Sequence, residues 1–310
     1  MPVLHSITFE RELFCYARNS MRRLLLTVIL ATLFFIVPAN ASPRKVFVSI
    51  GPQKWLVEQL GGELVTVESL LGKGQEPHTF EVSPKHVALL SRAALFFTVG
   101  LPFEDTIGSS LKAAKVIVVA SDKGITRIPM HLHEDRHHDH HPAEHHQPGH
   151  PDPHIWLSPD NLITMAGNMA AALSATDPAN ATTYTTRLHE LTDRLHHLDN
   201  ALVTQLSPLA DVVFYVFHPS FGYFAKRYNL HQKAVEIEGK SPTPKQLAML
   251  IQQVKKDGVK VVFTQPQFDP KACNAFANAT GAKVLPIDPL AEDVAANLQT
   301  IADTLLETAR

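Results

Sequence analysis

The chain has 310 residues, 45% of them hydrophobic and 19% charged, with a formal net charge of −2 when histidine is neutral. That length suits about two domains, and the apolar content suffices for sizeable cores. No basic face or block of like charge is present, so nothing in the charge pattern points to nucleic acid.

Near the N-terminus, Met21-Arg22-Arg23 precedes LLLTVILATLFFIVPANA, an apolar run closed by Ala39-Asn40-Ala41. A positive start, a short apolar core and an Ala-x-Ala end form the pattern of a cleavable secretory signal. The run is too short for a membrane span, which needs about 20 apolar residues. Cleavage is expected between Ala41 and Ser42, with residues 1–20 either an extended leader or upstream of a true start at Met21. The product is expected in an oxidising export compartment, a periplasm. No cysteine follows the run, so no lipid is expected there. Cys15 would leave with the signal, and Cys273 would remain as a small buried residue unable to form an intramolecular disulfide.

The mature part opens with the β-rich run Lys45 to Ile50, broken by Gly51-Pro52. A helix is predicted from Gln53 to Leu60, a second strand from Leu64 to Leu70, and a loop over Leu71–Pro77. Ser83-Pro84 supplies a cap and a first-turn proline for a helix to about Arg92. Leu95 to Val99 and Val116 to Ala120 read as strands. Strands alternating with helices argue for parallel βαβ units, and continuous apolar runs argue for sheets covered on both faces.

Ser158-Pro159 opens a helix to about residue 174, and Asp177-Pro178 opens a longer one to about Gln205. Leucines at 188, 191, 195, 198, 202 and 206 repeat at three and four on the longer helix. At 1.5 Å per residue it spans roughly 40 Å, more than one small lobe, and reads as a connecting strut. Its His189, His196 and His197 read as solvated surface residues. The alternation then repeats. Strands are predicted at Val212–Phe217, Lys233–Ile237, Val259–Thr264 and Ala282–Ile287. Helices are predicted at Phe221–Tyr228, from Pro242-Thr243-Pro244 to about Asp257, at Pro270–Thr280 and at Glu292–Ala309. About four strands therefore precede the strut and about four follow it.

Between the halves lies HLHEDRHHDHHPAEHHQPGHPDPHIW, residues 131–156, which holds 10 of the chain's 18 histidines. A dense histidine tract reads as metal-binding, because neutral imidazole ligates zinc, copper and nickel. The run 131–150 is expected to be a flexible, low-affinity collector or sensor. It would raise local metal concentration and fail as pH drops below about 6.5. The DPHIW that ends it reads as ordered, with His154 in a turn before a helix.

Four candidate ligands stand after strands or loops: His78, His154, His218 and Asp288. Parallel α/β sheets bind ligands beyond the carboxyl ends of their strands. Two facing halves would bring these residues to one cleft, and three imidazoles with one carboxylate make a tetrahedral set suited to zinc. Taken singly, each is more often a loop or cap residue. HExxH is absent, and Glu81 reads as part of a helix start rather than a general base.

The segments EPHTFEVSPKHVALLSRAALFFTVGLPFE, DPHIWLSPDN, FHPSFGYFAKRY, EIEGKSPTPKQL, FTQPQFDPK and IDPLA, in this order, resemble the metal-binding solute-binding proteins of ABC transporters, specifically the zinc-uptake type. The resemblance runs from about residue 44 to the C-terminus. It implies an α/β fold of two Rossmann-like lobes, each with a four-stranded mostly parallel sheet, joined by a long rigid helix with metal in the interlobe cleft. The expected segments are a signal at 1–41, an N-terminal lobe at 42–176, a connecting helix at 177–207 and a C-terminal lobe at 208–310. The family's ligand positions fall on His78, His154, His218 and Asp288. Zn2+ is then a transported ligand, and the partners are a membrane permease and its ATPase. The protein is expected to be a periplasmic monomer without enzymatic activity. Pro219 stands where many members carry Asp, and Pro77 where some carry an acid, with Glu76 one residue further off. Manganese-type relatives have Glu as third ligand, so His218 favours zinc. The alternatives are the same fold serving manganese or another divalent metal, and a secreted zinc hydrolase.

Overall fold

The computed structural model describes residues 42–130, 151–236, 244–268 and 270–309. The expected signal, 1–41, and the histidine run, 131–150, lie outside the described residues. Pro43–Arg310 forms one compact unit.

The first half builds β1 (Arg44–Val48), α1 (Gly51–Gly61), β2 (Val65–Ser69), α2 (Pro84–Leu90), β3 (Leu95–Thr98), α3 (Gly108–Ala113) and β4 (Ile117–Ala120). Two helices follow, α4 (Pro159–Thr176) and α5 (Ala181–Leu206). The second half builds β5 (Val213–Val216), α6 (Gly222–Arg227), β6 (His231–Ala234), α7 (Pro244–Lys256), β7 (Val261–Thr264), α8 (Pro270–Thr280), β8 (Lys283–Pro286) and α9 (Val294–Ala309). The strands form two four-stranded sheets in the orders β2-β1-β3-β4 and β6-β5-β7-β8. Every pairing is parallel. Each sheet therefore reverses its winding direction at one point, between β1 and β3 and between β5 and β7, where open α/β sheets leave a crevice.

The 26-residue α5 is the expected long helix. Its inward face is Tyr184, Leu191, Leu195, Asp199, Leu202 and Leu206, and it packs against α4, α1 and α9. Asp199 is buried on that face, and Arg227 Nε and Tyr228 Oη donate to its Oδ1 at 3.0 and 3.1 Å, which ties α5 to the end of α6. The first turn after Asp177 is 3-10, over Pro178–Asn180, and α-helix begins only at Ala181. Asp177 Oδ2 accepts from Asn180 Nδ2 and Tyr184 Oη, both at 2.8 Å, which ties the start of that turn to the first turn of α5.

One apolar core runs through both halves. It joins Val46, Phe96, Trp156 and Leu162 to Phe224, Phe263, Leu298 and Ile301. A smaller cluster around Tyr215, Val254, Val262 and Phe276 holds the buried Cys273. The expectation of fully covered strands is corrected at β4, where Ile117 and Val118 are 50% and 43% exposed. β4 is an edge strand, and its apolar side chains are less enclosed than those of β1 and β3.

The crevice of the first sheet is filled by the chain itself. Glu104, buried there, accepts from the backbone N–H groups of Val99, Gly100 and Leu101 and from the Ser49 hydroxyl. Burial pushes its carboxyl above the usual range, and these hydrogen bonds pull the other way. The crevice of the second sheet is where functional side chains collect.

Candidate metal centre

Three histidines arrive by separate routes. His78 lies in the loop between β2 and α2. The loop is shaped by Glu76, whose carboxylate oxygens accept from the backbone N–H of His78 at 3.0 Å and of Thr79 at 2.7 Å. His154 immediately precedes the 3-10 turn Ile155–Leu157, which leads into α4. His218 lies just past the end of β5. Its backbone is fixed by Gln265, which follows β7: Gln265 Oε1 accepts from His218 N at 3.1 Å and Nε2 donates to His218 O at 2.8 Å. The β5–β7 crevice thus presents His218 toward the residues of the first half.

The imidazoles converge on their Nε2 atoms. His78 Nε2 is 3.4 Å and His218 Nε2 is 3.3 Å from His154 Nε2. One nitrogen from each ring falls within 4.8 Å of the others. Tetrahedral zinc with Zn–N distances of about 2.0–2.1 Å requires adjacent ligand nitrogens about 3.3–3.4 Å apart. His154 and His218 are buried, and the rings are tilted or edge-on to one another rather than stacked.

The opposite ring nitrogens decide what those Nε2 atoms can do. His154 Nδ1 lies 2.7 Å from Asp152 Oδ1, and His218 Nδ1 lies 2.7 Å from Glu236 Oε1. A carboxylate only accepts, so each Nδ1 carries the proton, and a ring that is neutral turns a bare Nε2 lone pair inward. Two lone pairs facing each other at 3.3 Å repel unless a cation lies between them. Carboxylates behind ligating histidines fix the tautomer and raise ligand basicity. Burial, and next the proximity of His218, holds the His78 pKa below the ordinary imidazole value, against the opposing pull of Glu76, Glu236 and Asp152. A lowered pKa favours the neutral, ligating form.

Of the four expected ligands, the structure brings together His78, His154 and His218. Asp288, just past β8, stands outside the group. Its Oδ1 accepts from Gln267 Nε2 at 2.7 Å and from Leu290 N at 2.9 Å. Glu76 also stands outside the group, although it lines the same cavity with Ser220, Gln267 and Phe268. His218 stacks on Phe268 at 5.2 Å between centroids.

Asp152, Glu236 and Gln267 are site residues that the sequence reading passed over. The signal was available for the first: Asp152 sits two residues before His154 in DPHIW and also accepts from His154 N at 2.9 Å. Glu236 opens the EIEGKSPTPKQL segment, but its pairing with His218 spans 18 residues and is set only by the parallel alignment of β5 and β6.

The model of a family described as zinc-uptake complex component A, periplasmic, matches residues 46–309. The chain belongs to this family. A protein of Treponema pallidum described as metal-binding is 31% identical to it over 245 residues, covering 77% of each chain. A zinc-binding protein of Streptococcus pyogenes, AdcA, is 27% identical over 288 residues, covering 87% of this chain. This chain spans only 56% of that AdcA. Among solved structures, a zinc-bound internal deletion variant of ZnuA superposes with a TM-score of 0.76 at 36% identity, covering 86% of this chain and 98% of that one. The two parallel sheets and the long helix are the fold of zinc-uptake component A, a solute-binding part of a transport system. Among the described residues no helix is long and apolar enough to cross a membrane.

Proposed function

We propose that this chain captures Zn2+ outside the cytoplasmic membrane and delivers it to the permease of an ABC importer driven by an ATPase. Zinc is cargo, not a catalyst, and the chain is not an enzyme. His78, His154 and His218 hold it through Nε2. One observation carries the reading: two buried imidazoles, each with its Nδ1 set against a carboxylate, face their Nε2 atoms at 3.3 Å. Imidazole suits zinc better than it suits manganese, which prefers carboxylate and carbonyl oxygen. A zinc hydrolase would need a general base aimed at a bound water, and the carboxylates nearest the rings, Asp152 and Glu236, are engaged behind them.

We further propose that residues 42–176 and 208–310 act as two lobes braced by 177–207. Residues 1–41 act as a cleavable signal, the product works as a periplasmic monomer, and 131–150 is an auxiliary zinc collector. Several contacts bolt the halves together beside the site. Tyr223 Oη donates to Asp152 O at 3.0 Å and accepts from Ile128 N at 3.2 Å. A Cβ on Gly222 would meet Asp152 Oδ2 at 2.6 Å. Such packing favours release by local loop shifts over wide lobe opening.

Equilibrium dialysis of the purified protein tests this reading. One tight zinc equivalent is expected, and its absence rejects the proposal. Deleting 131–150 is expected to leave that equivalent and remove only weaker zinc; loss of the tight equivalent would place the main site in the run. Asp152→Asn and Glu236→Gln keep shape and remove the charge behind the ring. Each is expected to weaken zinc by about 10–100-fold. Affinity unchanged in both, by chelator competition, would show that the carboxylates do not support the ligands.

A further inference from the structure

We propose that Gln267 is a metal-specificity residue that holds the Asp288 carboxylate out of the three-histidine site, so that the cargo meets the three imidazole nitrogens without the Asp288 oxygen. This rests on the zinc-capture reading above. Gln267 follows β7 and lines the same cavity as His78, His154 and His218. Its Nε2 donates to Asp288 Oδ1 at 2.7 Å, and the N–H of Leu290 donates to the same oxygen at 2.9 Å.

The main chain around Asp288 is fixed independently. Asn297 Nδ2 donates to Asp288 O at 2.6 Å, and Trp156 Nε1 donates to Pro289 O at 2.7 Å. With the backbone pinned, the side chain has only its own torsions with which to reach the histidines, and Gln267 and the Leu290 N–H hold one of its two oxygens, Oδ1, away from them. The orientation of the Gln267 amide is set by charge: a flipped amide would turn its carbonyl oxygen onto the carboxylate. As placed, Gln267 Oε1 is buried without a hydrogen-bond partner. Native structures rarely leave a buried carbonyl unmatched. The glutamine sits there at the cost of that atom and gains the contact to Asp288.

The consequence for selectivity follows from donor hardness. Three imidazoles favour zinc, and a carboxylate oxygen added to them makes the site more hospitable to manganese. Removing the amide leaves the Leu290 N–H as the one remaining donor shown on Asp288 Oδ1, so the carboxylate turns inward more readily. Without it, the site would move from three nitrogens toward three nitrogens and an oxygen.

The test compares the purified wild type with Gln267→Leu, Gln267→Ala and the double variant Gln267→Leu/Asp288→Asn. Zn2+ and Mn2+ titrations by chelator competition give the affinities, and the visible spectrum of the Co2+-loaded protein reports the coordination. Both single variants are expected to keep one tight zinc and to bind Mn2+ about tenfold more tightly, a shift of about 1.4 kcal/mol. Their Co2+ spectra should change, and the Mn2+ gain should vanish in the double variant. Unchanged Mn2+ affinity in a single variant that still takes one zinc overturns the proposal, as does a gain that persists without Asp288. Failure of the wild type to take tight zinc would instead sink the zinc-capture reading, so the two outcomes are separable.

Discussion

His154→Ala is expected to abolish tight zinc binding, lowering affinity by more than 100-fold in a chelator competition. Loss of a carboxylate behind a ligating histidine already costs about 10–100-fold, and loss of the ligand itself must cost more. His154 is the central member of the group, since its Nε2 lies 3.4 Å from His78 Nε2 and 3.3 Å from His218 Nε2. Without it the two remaining imidazoles lose a nitrogen that lies within hydrogen-bond distance of both. The substitution should leave the fold standing, because the neighbouring backbone keeps its own restraints: Asp152 Oδ1 still accepts from the N–H of residue 154, and Asp152 N still donates to Ile128 O at 2.8 Å. A far-ultraviolet spectrum like that of the wild type, with tight zinc gone, is the expected pair of observations. One tight equivalent retained by a folded His154→Ala protein would show that the cargo is held elsewhere.

Much of this architecture is legible in the residues. The runs Leu95–Val99 and Val259–Thr264 have few ways to bury themselves other than as interior strands, and both lie within one residue or two of β3 and β7. The leucine spacing shows the long helix α5 directly. The errors are local and have physical causes. GSSLKA is too short to show a helical period, so α3 leaves no trace in the pattern. HQKA is polar because β6 is an edge strand whose role is backbone pairing to β5, so the strand expected from Lys233 begins two residues earlier, at His231.

The site was legible in a different way. Its histidines stand out because each follows a strand or opens a helix in a recognisable segment. The partners behind them do not stand out. Nothing in a sequence aligns Glu236 with His218 until β5 and β6 pair in parallel, and nothing shows that Gln267 rather than the metal site receives Asp288 Oδ1. Ligand identity is a property of single residues, whereas ligand environment is a property of strand register and loop closure.

Trp156→Ala is expected to be the most destabilising single change near the site. The indole is fully buried in the shared core, and its Nε1 donates to Pro289 O at 2.7 Å across the boundary between the halves. Truncating a buried tryptophan costs about 3–5 kcal/mol through lost burial and the cavity left behind. For a unit of this size that lowers the midpoint of thermal unfolding by about 10 °C. Trp156→Phe keeps most of the volume and loses the hydrogen bond, at about 1–3 kcal/mol for the orphaned carbonyl. The same residue stands two positions after His154, with ring centroids 5.3 Å apart, so its loss also loosens the wall against which that ligand is set. Zinc should offset part of the damage: a ligand at about 1,000 times its dissociation constant stabilises the folded state by about 4 kcal/mol. Thermal scans of wild type, Trp156→Phe and Trp156→Ala, with and without zinc, should therefore show apo midpoints falling in that order and a zinc-dependent rise in each. An apo Trp156→Ala midpoint within about 2 °C of wild type, about the shift for 1 kcal/mol, would mean that the two halves do not depend on this contact.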